Sequence, residues 1–179
     1  FVCPASAKNV ESALETLASI AKTTSFDGVF VDRIRYPSVA NNPWALLGCR
    51  CPSCIRSYET AGVNLARLDG AAFVPTGMED GRYTFASEDV NRLFAFKRQV
   101  ITGVVEQLVK RLHALGYAVG LDAFAPFAAD FVGQDSLALA QRVDFLKPMM
   151  YLQTTAPAGM PFELRAIGGA CGPEAEAAI

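Results

Sequence analysis

A chain of 179 residues, 51% of them hydrophobic and with positive mean hydropathy, has the material for one packed core and is not a disordered segment. Its 16 basic and 18 acidic residues give a formal net charge of −2, which argues against nucleic acid as the main partner. No apolar run reaches the roughly 18 residues that a membrane span needs, so no membrane partner is expected.

Phe1-Val2-Cys3-Pro4 reads as the end of a strand. Residues are therefore expected to precede position 1, and the lack of a targeting signal assigns no compartment. Ser6 or Asn9 can cap a helix running to about Lys22, with Val10, Leu14, Leu17 and Ala21 on one face. Phe26-Asp27-Gly28-Val29-Phe30-Val31-Asp32 follows as a buried strand. Asp32, Arg33, Arg35 and Tyr36 crowd its end before Pro37, which has no N–H for a ladder, closes it. This strand–helix–strand order is the building block of a parallel sheet.

Residues 37–86 form a long excursion, with short helices expected at 52–62 and 64–71 and a glycine-rich piece at 76–81. Ser87 caps a long helix that ends at Gly116 and is expected to project beyond the sheet at its N-terminal end. A second strand covers Ala118 to Phe124, and 125–134 reads as a loop. A short helix over Ser136 to Arg142 leads to a third strand, Val143 to Tyr151. A last helix is expected from Pro161.

Side chains alternate across a strand, so Phe30 shares a face with Asp32, and Gly120 with Asp122 and Phe124. Lys147, Met149 and Tyr151 share a face of the third strand. Ligands bind at the C-terminal ends of parallel strands, and Asp32 and Asp122 are both placed there. Two carboxylates in one pocket suit glycosidic bond cleavage, one ionised and one protonated. An adjacent Arg33 or Arg35 would keep Asp32 charged, and apolar Leu121, Phe124 and Phe127 would favour the neutral form of Asp122. Tyr36, Trp44, Phe127 and Tyr151 offer faces for sugar rings. The alternative for Asp32 with its arginines, and for Lys147 with either acid, is a structural salt bridge.

Five cysteines, Cys3, Cys49, Cys51, Cys54 and Cys171, are an odd number and do not make a disulfide framework. Cys49-x-Cys51-x-x-Cys54 is a compact sulfur cluster, either thiols that pin the long loop or part of a zinc knuckle lacking a fourth ligand. No metal or other cofactor is assigned. The single histidine, His113, falls near a helix C-terminus, where its charge suits the dipole.

The segment Phe26 to Pro37 resembles the DGI-x-x-D-x-x-R-[YF]-P strand of glycoside hydrolases with a TIM-barrel catalytic domain. Val143 to Tyr151 resembles their later D-[FY]-[IVL]-x-P-M-x-Y strand, and Gly120-Leu121-Asp122-Ala123-Phe124 fits between them in order. The two motifs cover about 20 residues. The resemblance implies a (β/α)8 barrel over residues 1–179, partial because such barrels run to about 250 residues, acting on an oligo- or polysaccharide. On that reading Asp32 is the nucleophile or base and Asp122 the acid, although a related clan uses Glu at the latter place. Arg33, Arg35, Tyr36, Trp44, Lys147 and Tyr151 would contact substrate or tune the acids. The alternatives are a non-catalytic carbohydrate-binding barrel and a metal-dependent hydrolase that uses Cys49, Cys51 and Cys54.

Overall fold

In the computed structural model the backbone is described for residues 3–40, 43–68 and 70–171, and side chains for these except at 43, 44, 70 and 71. Helix α1 (Ala7–Thr23) buries Val10 and Leu14 and leads into strand β1 (Gly28–Val31). The excursion holds a 3-10 turn (Pro43–Leu47), helix α2 (Pro52–Thr60), two more 3-10 turns and a hairpin of β2 (Pro75–Glu79) and β3 (Arg82–Phe85). Helix α3 (Glu88–His113) then feeds β4 (Ala118–Ala123). Short helices α4 (Pro126–Ala129) and α5 (Ser136–Ala140) precede β5 (Phe145–Pro148), and α6 (Met160–Cys171) follows it.

The three strands β1, β4 and β5 are parallel and lie in the order β1-β4-β5, with Phe30 opposite Gly120 and Asp122 opposite Lys147. The helix-side face buries Val31, Val119 and Leu121 against Val105, Val109 and Leu112 of α3 and Leu139 of α5. Each such side chain taken out of water contributes about 1.5–3 kcal/mol. The opposite face is open: Phe30 is 43% and Phe145 53% exposed.

This corrects the barrel expectation. A closed (β/α)8 barrel buries the inner face of every strand and has no sheet edge. Here β1 and β5 are edges of a three-stranded sheet among the described residues, and the face that would be interior carries two half-exposed phenylalanines. The alternation of side chains was right, because it depends only on the strand period; closure was not, because it needs partner strands.

Two local expectations also change, and one is sharpened. The glycine-rich piece is a hairpin, turned by Asp80 (φ 53°) and Gly81 (φ 76°). Asp-Gly at two consecutive positive φ values is the signature of a tight two-residue hairpin turn. The N-terminal half of α3 runs beyond the sheet but does not stand free: Val90, Leu93 and Phe94 are fully buried with Tyr58, Phe73, Tyr83 and Phe85 of the excursion. The excursion thus covers the part of α3 that outruns the sheet. Finally, 125–134 is not a plain loop but α4 and a 3-10 turn over Asp130–Val132.

Candidate functional site

The strand ends meet through Gln134, which is fully buried. Its carbonyl oxygen accepts the Phe124 N–H at 2.6 Å and its amide donates to the Ile34 carbonyl at 3.1 Å. This splint fixes the segment after β1 against the end of β4. Glycine at 120 leaves room for the Phe30 and Phe145 rings to stack over the sheet, with centroids 5.5 Å apart and planes 3° from parallel. The Lys147 ammonium lies 5.0 Å above the Phe30 ring and 3.2 Å from an Asp122 carboxylate oxygen.

Asp122 is 9% exposed, and its Oδ1 is buried without a hydrogen-bond partner. An unpaired buried acceptor costs about 1–3 kcal/mol, more when charged. The charged neighbour of Asp122 is Lys147, the ion-pair partner that the sequence offered for either acid.

Asp32 lies one residue beyond β1, with its side chain 52% exposed. It accepts the Arg33 N–H at 2.6 Å, and the Arg33 guanidinium is 3.9 Å away and 77% exposed. Arg33 takes φ 59°, so the chain turns away from strand geometry there. Arg35 curls back over the Phe124 ring at 4.4 Å, with its Nε buried and unpartnered. Burial pulls its guanidinium below the ordinary arginine range, against the opposing charges of Glu163 and Asp32. A cleft of about 780 Å³ runs along β1 against α1 and α3, lined by Val10, Leu17, Phe30, Asp32, Arg35 and Leu108.

The remaining predicted contacts divide. Tyr36 is fully buried and offers no face to a sugar; its N–H donates to the Val132 carbonyl at 2.9 Å, which ties the segment inward. The Trp44 side chain lies outside the described residues. Phe127 is half-buried, and Tyr151 is 47% exposed, past the end of β5.

Three features escaped the sequence reading. Glu163, in the first turn of α6, is 1% exposed; its Oε1 accepts the Ala158 N–H at 3.0 Å and its Oε2 is unpartnered. Lys97 is fully buried in mid-α3, donating to the Phe131 and Leu46 carbonyls beneath the Phe94 ring. Asp130, also buried, accepts from Arg98 at 2.8 Å and from the Tyr83 N–H at 2.7 Å. Only a charged residue on the apolar side of the α3 stripe hinted at Lys97. The cysteines do converge: the sulfurs of Cys3, Cys49, Cys51 and Cys54 lie within 4.8 Å of one another.

The chain matches no protein-family model, no curated protein and no solved structure.

Proposed function

We propose that this chain is a carbohydrate-active hydrolase working at the C-terminal ends of β1, β4 and β5. The observation that carries the reading is Asp122. It is a buried carboxylate with one oxygen held by Lys147 at 3.2 Å and the other unpartnered, beside an exposed aromatic pair. Phe30 and Phe145 offer a flat apolar surface to a sugar ring, whose hydroxyls would donate to Asp122. In this reading Asp32 and Asp122 are the working carboxyl pair.

A second reading, non-catalytic carbohydrate binding, is favoured by one fact: both carboxylates already have a positively charged neighbour. The two readings separate on a panel of glycosides and oligosaccharides with turnover and calorimetric binding measured together. Under the first, Asp122→Asn lowers turnover by at least about a hundredfold while binding persists. Binding by the unaltered chain without turnover, abolished by Phe30→Ala, supports the second. Neither turnover nor binding across the panel removes both.

A further inference from the structure

Four of the five cysteines gather at one place although they come from separate parts of the chain. Cys3 precedes α1, Cys49 and Cys51 lie in the loop after the first 3-10 turn, and Cys54 is in the first turn of α2. All four are free thiols, with Cys3 Sγ at 3.2 Å from Cys54 and 3.6 Å from Cys51. A disulfide requires about 2.05 Å between sulfurs. Four sulfurs around one ion at about 2.3 Å stand about 3.8 Å apart along the edges of a tetrahedron. The observed spacings are of that kind.

Gly48 makes the approach, with φ +70° and the Tyr58 hydroxyl 2.7 Å from where a Cβ would stand. Hydrophobic packing alone does not call for four adjacent thiols, since a valine or alanine fills such a space without the reactivity.

We propose that Cys3, Cys49, Cys51 and Cys54 form a closed tetrathiolate site for one zinc ion. On binding, four S–H bonds release their protons to water and four Zn–S bonds form, leaving a complex of net charge −2. Sulfur-only ligation excludes calcium and magnesium, which take oxygen. With all four positions filled by protein, no position remains for water or substrate, so the site is structural and not catalytic. This sets aside a metal-dependent hydrolase that uses the loop thiols. The ion fastens the segment before α1 to the excursion, beside buried Cys54 and Tyr58 of α2. Because the ligands are assembled only in the folded chain, binding energy is folding energy.

The test uses the full chain purified under reducing conditions, with metal content measured by mass spectrometry and cobalt(II) as a spectroscopic substitute. The expected result is one zinc per chain and, after exchange, the intense visible absorption of tetrahedral thiolate cobalt. Cys3→Ser, which alters the ligand outside the Cys-x-Cys-x-x-Cys motif, lowers zinc affinity at least about tenfold and changes the cobalt spectrum. Cys171→Ser leaves both unchanged. The proposal is overturned if the unaltered reduced chain holds no zinc and gives no tetrahedral cobalt spectrum. It is equally overturned if iron occupies the site as purified, or if Cys3→Ser binds zinc as tightly as the unaltered chain. The cobalt measurement on the unaltered chain decides the matter even if Cys3→Ser does not fold.

Discussion

Replacing Lys97 by methionine is expected to stabilise the protein at neutral pH, and the gain is expected to vanish in alkali. Lys97 is fully buried, and burial pulls its ammonium down to about 7, against the favourable charge of Asp130. In the unfolded chain the group titrates near its ordinary value of 10.5. Between those values the unfolded state binds more protons than the folded one, so stability rises with pH across the window. Integrated, the cost of holding Lys97 in place is about 4 kcal/mol at pH 7 and about 2 kcal/mol at pH 9. Methionine fills similar volume without a charge, but it leaves the Phe131 and Leu46 carbonyls without their donor, at about 1–3 kcal/mol together. Lys97→Met should therefore gain about 1–3 kcal/mol at pH 7 and lose that advantage by about pH 9. Urea unfolding followed by circular dichroism at both pH values measures this. A difference between the two proteins that stays flat with pH would refute the reasoning. So would a loss of more than about 3 kcal/mol at pH 7, because the ammonium would then be a net stabiliser.

Gly48→Ala should destabilise by about 1–3 kcal/mol, from positive φ plus the Tyr58 hydroxyl in its way. Gly81→Ala, at φ +76° with open space around it, should cost only about 1–2 kcal/mol; equal losses in thermal unfolding would mean that Tyr58 yields freely. Gly120→Ala pushes a Cβ into the stacked Phe30 and Phe145 rings. Both are half-exposed and free to swing apart, so the melting temperature should hold while any oligosaccharide affinity falls; unchanged affinity counts against the aromatic platform. Asp144 accepts the Val119 N–H at 2.7 Å and pairs with His113 at 2.8 Å, and these hold its carboxyl below the ordinary carboxylate range. The stability this confers is present above the ordinary carboxylate value and is lost as pH falls through the lowered one. Asp144→Asn should accordingly flatten the acid limb of the stability profile, and an acid limb identical to that of the unaltered chain would exclude the role.

Much of the local structure was legible because it depends on short-range chemistry. The period of α3, its Ser87 cap accepting from Val90 N–H, and its stop at Gly116 with φ 86° follow from rules that act within a turn or two. The strands at β1, β4 and β5 came from apolar runs, and the placement of Asp122 and Lys147 on one face came from the two-residue strand period. The hairpin is equally legible in Asp80-Gly81, a pair suited to a two-residue turn with positive φ at both positions.

What the sequence by itself determined is therefore which side chains stand on each face of each element, and that acids and cations sit at the C-terminal ends of the parallel strands. Tertiary structure alone decided that, among the described residues, the sheet has three strands with an open face, that Tyr36 turns inward, and that Lys97 and Glu163 are buried. It alone brought Cys3 to a cluster whose other members lie more than forty residues away. The physical reason is range: periodicity, capping and turn chemistry act between near neighbours. Closure, burial and the meeting of distant ligands depend on contacts that no local window contains.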